Sequence, residues 1–193
     1  MSVAWRDVVF RNRGALLAVP AAGLALIGRP SSRSIATGVP LAFFGEALRC
    51  WAVGFSGPTT RADRVVAPAL TTAGPYAHTR NPLYLGNFLT ALGFSLAFTG
   101  ALPPRIRVPL VGGSLLSMLA VYAAIVPREE AYLRATFPEF AAYEAAVPRV
   151  LPRLRAAEPQ RGRYDASVIG SAESRTFVTF GAMLAMLALK ARR

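Results

Sequence analysis

The segment Gly74-Pro75-Tyr76-Ala77-His78-Thr79-Arg80-Asn81-Pro82-Leu83-Tyr84-Leu85-Gly86 sets two phenols, the single histidine, a guanidinium and an Asn-Pro step directly against an apolar run. Asn81 is a good helix N-cap and Pro82 a favoured first helical residue. A helix that begins there turns unpaired backbone N–H groups and the positive end of its dipole towards a carboxylate or phosphate. Arg80 adds a fork suited to the same anions, and Gly86 permits close approach by a neighbour. The same residues also read as a plain cap with an arginine anchor and an interfacial tyrosine. A second polar cluster, Arg128-Glu129-Glu130, ends a later apolar run. Carboxylates at a helix C-terminus oppose the macrodipole, a cost that binding a cationic ligand group would offset. Adjacent helical positions lie about 100° apart, so only one of the two faces a given partner. The alternative is a solvated pair bonded to Arg128 or Arg134. Glu46 and Arg49, at i and i+3, can pair on one helix face, either as a structural ion pair or as part of a site.

The elements that must position these groups are helices in a membrane. The chain has 193 residues, 53% hydrophobic, with mean hydropathy +0.38 and its apolar residues in blocks. That composition predicts a single all-α integral membrane domain of about five transmembrane helices. The blocks are 14–28, 35–55, 82–102, 106–126 and 177–189. About 20 residues cross the hydrocarbon core, so the middle three suffice, while the outer two are short and either extend into flanking residues, tilt little or lie partly at the interface. The first block also has the look of a signal peptide, but its tight connection to the second favours a retained helical hairpin. After the fourth, 132–143 is expected to continue as helix, break at Pro138 and lie along the surface. Residues 147–153 are expected to be extended, because each proline disfavours helix at the residue before it. The polar, glycine-containing stretch 158–172 reads as a loop or mobile segment.

Cys50 is the only cysteine and His78 the only histidine, which excludes an intrachain disulfide and most metal and Ser-His-Asp sites. The net charge of +12 comes from arginines in short loops beside apolar blocks, the pattern of membrane orientation and not of nucleic-acid binding. Arg6, Arg11, Arg13, Arg61, Arg64, Arg80, Arg128, Arg134, Arg149, Arg153, Arg155, Arg161, Arg163 and Arg175 fall on one side. Arg29, Arg33, Arg105 and Arg107 fall on the other, with Lys190, Arg192 and Arg193 if the last block spans. The excess places both polar clusters in the cytoplasm, at the inner membrane if the chain is bacterial.

Two spaced motifs in the right order, with a third pattern besides, then resemble those of a known family. Gly74-Pro75-Tyr76 with Thr79-Arg80-Asn81-Pro82-Leu83-Tyr84-Leu85-Gly86 resembles the G-P-Y-x-x-x-R-H-P-x-Y-x-G signature of the isoprenylcysteine carboxyl methyltransferase and phospholipid methyltransferase superfamily. Glu129-Glu130, Leu133, Phe137, Tyr143 and Val147-Pro148 resemble its E-E-x-x-L-x-x-x-F…Y…V-P ending. Residues 45–52 are similar to the G-x-x-L-R-x-W-A pattern of bacterial members. The resemblance covers about 35–152, the motif core, with 153–193 a C-terminal loop and helix.

It implies a membrane methyltransferase using S-adenosylmethionine in a cytosolic pocket roofed by the segment after the fourth helix. By analogy Tyr76, His78, Arg80, Asn81, Pro82, Leu83, Tyr84, Gly86 and Glu129 bind the cofactor, with backbone contacts from Pro68, Ala69, Leu70 and Thr71. Arg49 and Arg128 are the candidates to hold an acceptor carboxylate, and Glu130 completes the candidate catalytic set. The implied partners are the bilayer and a lipophilic acceptor, either an isoprenylcysteine-like carboxylate, a lipid or a small hydrophobic carboxylate or thiol. The motif's histidine is Asn81 here, which cannot titrate; His78 lies close enough to substitute. Two other readings stand beside this one. One is an NADPH-dependent reductase of the sterol-reductase type, disfavoured by the absence of a 2′-phosphate cluster and by the Glu129-Glu130 pair. The other is a non-catalytic cofactor-binding membrane protein, favoured by Asn81.

Overall fold

The computed structural model of the protein describes residues 3–57 and 67–192. Arg61, Arg64 and Arg193, counted above for orientation, lie outside the described residues, as do the side chains of Arg6, Arg11 and Arg13. The described chain is helical: α1 (Val3–Ile27), α2 (Ser32–Ser56), a 3-10 turn (Gly74–Ala77), α3 (Pro82–Thr99), α4 (Pro104–Thr136), α5 (Phe140–Ala146) and α6 (Ser167–Ala191). Among the described residues, α3, α4 and α6 are long and apolar enough to cross a membrane. At 1.5 Å per residue α4 is about 50 Å long, well beyond the roughly 30 Å hydrocarbon core.

One boundary differs from the sequence expectation. The stretch expected to be loop to Ala172 becomes helix at Ser167, because Asp165 caps it. Asp165 Oδ1 accepts from Ser167 N at 2.9 Å and from Ser167 Oγ at 2.6 Å. The last helix thus has 25 residues and not only the apolar block from Phe177. α1 extends into the residues before its apolar block, back to Val3, as one of the alternatives for the short outer blocks had it. The break after α4 falls at 137–139, around Pro138 as expected, and Val147 after α5 has extended backbone.

The chain forms two compact units. The first comprises 1–46, 87–125 and 176–193. Its core is Leu24, Phe94, Ala97, Phe98, Phe180 and Leu187, with Phe94 and Phe180 edge-to-face at 5.0 Å. α1 and α2 are joined through a reciprocal cap. Ser34 N donates to Ser31 Oγ at 3.2 Å, and Ser31 N donates to Ser34 Oγ at 2.9 Å. Lys190 Nζ donates to the carbonyls of Leu26 and Gly28, both at 3.1 Å, and so satisfies the C-terminal end of α1.

α2 and α3 meet through small residues spaced by four, Gly38 and Ala42 against Gly93 and Ala97. A Cβ on Gly93 would strike the backbone of Ala42 and of Gly38. Close helix approach through such residues is how membrane helices gain packing energy. Gly93→Leu is expected to destabilise by about 3 kcal/mol, whereas Gly113→Leu, which faces open space, is expected to be neutral. Thermal melting in detergent distinguishes the two.

The second unit comprises 47–86 and 126–175. Its core gathers Leu70, Phe140, Tyr143 and Val147, with Leu133, Phe137 and Ala157 packed against them.

Candidate functional site

The second unit holds most of the residues singled out from the sequence, and a long strap, 147–166, is hydrogen-bonded along the 3-10 turn and the start of α3. Arg80 N donates to Pro148 O at 2.9 Å, Arg153 N to His78 O at 3.0 Å and Ala157 N to Ala77 O at 2.9 Å. Thr72 N and Ala73 N both reach Arg161 O, and Asp165 N reaches Gly54 O at 2.8 Å. Side chains join in. Thr79 Oγ1 contacts the carbonyls of Arg149 and Val150, and Thr72 Oγ1 donates to Pro159 O while accepting from Arg161 N. His78 Nδ1 donates to the Arg153 carbonyl at 2.8 Å, so its proton on that nitrogen is committed to the strap. At the strap's far end the Tyr164 ring lies over Gly54 and 5.4 Å from Phe55. A Cβ at Gly54 would fall inside that ring, and Gly74 adopts a left-handed φ of 61° beside Phe55.

The adjacent carboxylates of α4 have different partners, as their angular separation requires. Glu130, 3% exposed, is the hub of the strap. It accepts from Arg80 Nε at 3.0 Å, from Arg149 Nε at 3.0 Å and from Arg149 Nη2 at 2.5 Å, with Asn81 Nδ2 at 3.5 Å. The Arg80 fork, expected to face an anionic ligand, is instead turned inward. Its Nη1 donates to the carbonyls of Glu144 and Val147, both at 2.8 Å. The helix-end carbonyls of α5 supply acceptors that compete for it. Arg134, the other partner considered for the pair, binds Glu144 at 2.7 Å instead and stacks on Phe140. Arg149 was not singled out for the site; its bond to Glu130 pushes its guanidinium further up from its ordinary value. Asn81 occupies the cap position, its carbonyl accepting from Leu85 N. Its amide donates to the Arg149 carbonyl at 3.0 Å.

Glu129 faces a different group of residues. Tyr84 Oη donates to its Oε1 at 2.7 Å. Tyr76, on the 3-10 turn, feels both Glu129 and Arg49 and hydrogen-bonds Ser56, while burial pushes its phenol up to about 12. Its backbone carbonyl takes the Tyr143 hydroxyl at 2.8 Å. Burial also pushes the Tyr143 phenol up. Tyr76 and Tyr143 are therefore neutral phenols at neutral pH. The folded state keeps these protons where the unfolded chain, titrating near 10, releases them, so stability is full below pH 10 and falls as pH rises above it. Alkaline titration of unfolding is expected to steepen above about pH 10 and to flatten in Tyr76→Phe. No change in slope would mean the phenol is solvated.

Arg49, considered as a partner of Glu46, places Nη2 on both oxygens of Glu173, at 2.8 and 2.6 Å. Glu173 is fully buried. Nothing in its local sequence beyond a carboxylate just ahead of an apolar block signalled it. Arg128 is half-buried on α4. Of the 68–71 loop, Pro68 and Ala69 are exposed, Leu70 joins the core, and Thr71 Oγ1 lies 3.4 Å from the Phe55 carbonyl. Pro82 and Gly86 are buried and Leu83 half-buried on the first turns of α3.

No family model matches the chain, and no solved structure matches it. Over 72 residues it is 38% identical to the cobalt-zinc-cadmium resistance protein CzcN of Cupriavidus metallidurans. That similarity spans 37% of this chain and 30% of the relative, so the chain matches less than a third of the relative's length.

Proposed function

We propose that the protein is a five-span membrane methyltransferase that binds S-adenosylmethionine at the cytosolic membrane face and methylates a lipophilic acceptor. α1 and α2, 25 residues each, join α3, α4 and α6 as spans. The arginine excess puts the strap and both glutamates inside. The observation that carries the reading is the Tyr84–Glu129 hydrogen bond with Tyr76 beside it, which the motif resemblance singles out.

The donor set fits the cofactor. A carboxylate accepts from several donors at once, as an ammonium or ribose diol requires. Phenol faces attract cations, as a sulfonium requires, and neutral Tyr76 keeps that face across the physiological range. When bound, S-adenosylmethionine supplies an electrophilic methyl group on a sulfonium. The chain's own part is positioning: the strap covers the 3-10 turn, Glu129 orients a cationic or hydroxylic group, and Arg49 and Arg128 are the candidates for an acceptor carboxylate. An anionic acceptor held in line needs little acid–base help, so Asn81 in place of histidine is tolerated. Arg80 and Glu130 act through the strap.

Calorimetric titration of detergent-solubilised protein with S-adenosylmethionine, S-adenosylhomocysteine and NADPH tests this. Micromolar binding of the first two is expected; binding of NADPH alone would replace the reading with a reductase.

A further inference from the structure

The first unit contains a cavity of about 210 Å³ that the proposed chemistry does not use. Apolar side chains such as Leu24, Phe94 and Met118 supply part of its wall, yet Glu46, Thr90 and Ser95 also line it. Ionisable and hydroxyl side chains at membrane depth are costly and are found facing cavities or partners. Glu46 is buried at 7% exposure. Ser95 is fully buried and its hydroxyl has no hydrogen-bond partner. A helical serine normally bonds the carbonyl four residues back; Ser95 does not, although its own carbonyl takes Thr99 Oγ1 at 2.7 Å. An unsatisfied buried hydroxyl costs on the order of 1–3 kcal/mol, so its presence in a cavity wall points to a missing partner.

Pro20 of α1 also lines the cavity. Thr179, another lining residue, is exposed, so the cavity has a mouth on the flank of α6.

We infer that this cavity is a binding site for a small lipophilic molecule whose head donates hydrogen bonds, an alkylamine or alkanol, with the head at Glu46 and Ser95 and the tail among Leu24, Phe94 and Met118. Size sets the class. A dry cavity of about 150 Å³ takes benzene, so this one takes roughly eight to ten non-hydrogen atoms. Hydrogen bonding sets the head. Glu46 and Ser95 set acceptor oxygens in the wall, so a head that donates hydrogen bonds fits there and a head offering only acceptors does not. Ser95 can accept from the same head or donate to it. This assignment stands on the first unit alone and is independent of cofactor binding.

Photolabelling of the full chain in lipid nanodiscs with a diazirine-bearing octylamine tests it, with octylamine, octanol and octanoic acid as competitors. Adducts are expected on the peptides of Leu24 and Phe94, competed by octylamine and octanol at concentrations at least tenfold below octanoic acid. Glu46→Gln is expected to bring the three competitors within about threefold of one another. Ala91→Phe, which fills the cavity, is expected to cut labelling at least tenfold; Ser114→Leu serves the same end if Ala91→Phe does not fold. Labelling spread over exposed membrane-facing side chains would overturn the site. So would octanoic acid competing as well as octylamine against the unsubstituted protein, or labelling unchanged in the filled variants.

Discussion

Glu130→Ala is expected to destabilise the protein by about 3–5 kcal/mol, the cost of leaving a buried charge without its partner. The buried charge is Arg80, whose side chain is 9% exposed and whose Nε rests on Glu130. Arg149 contributes less, because its side chain is half-exposed and water replaces the lost carboxylate. The loss is expected to shrink in the double variant Arg80→Met/Glu130→Leu. Replacing a buried ion pair with apolar groups is often neutral, so the double variant is expected to melt well above Glu130→Ala. Part of the loss remains there, because Arg80 also holds the carbonyls of Glu144 and Val147. Thermal unfolding in detergent, read by circular dichroism, gives both numbers. A Glu130→Ala protein as stable as the unsubstituted one would mean the strap is not held through this hub. A double variant less stable than either single one would mean that Arg80 works mainly through the carbonyls.

The hub also shows which parts of the molecule were legible in the sequence. The two polar clusters and the helix starting at Pro82 could be read from local rules, since caps, prolines and apolar blocks act within a few residues. So could the separate orientation of Glu129 and Glu130, which follows from 3.6 residues per turn alone. Local rules did not reveal the partner of each charge. Arg80 looked like a ligand fork because nothing nearby in sequence competes for it. Its acceptors lie on α5 and α4, 50 to 67 residues away. Arg49 met Glu173 across 124 residues for the same reason. The start of α6 was missed because Gly170 and several serines read as loop formers, while the Asp165 cap that starts the helix is a single residue in a polar run. Long-range pairing of charges is decided by topology, and topology was only coarsely visible.

Glu129→Gln is expected to weaken binding of S-adenosylmethionine by roughly 10- to 150-fold, the worth of about 1.5–3 kcal/mol for a hydrogen bond to a charged group. Tyr84→Phe removes the phenol that holds the carboxylate at 2.7 Å but keeps the aromatic face, so a loss of about tenfold is expected. The comparison with S-adenosylhomocysteine separates two roles. That product keeps the ammonium, carboxylate and ribose but lacks the sulfonium charge. If Glu129 orients the ammonium or the diol, both ligands weaken together in Glu129→Gln. If the Tyr84 face holds the sulfonium, Tyr84→Leu weakens S-adenosylmethionine several-fold more than S-adenosylhomocysteine, because only the cation gains from the ring's quadrupole. Glu129 is half-buried and outside the Arg80–Glu130–Arg149 hub, so melting is expected to stay close to that of the unsubstituted protein in Glu129→Gln. Binding that persists unchanged in a folded Glu129→Gln protein would remove this carboxylate from the cofactor site, and the methyltransferase reading would then rest on the binding itself and not on the Tyr84–Glu129 pair. Loss of binding together with a large fall in melting temperature would instead show Glu129 to be part of the scaffold, as Glu130 is expected to be.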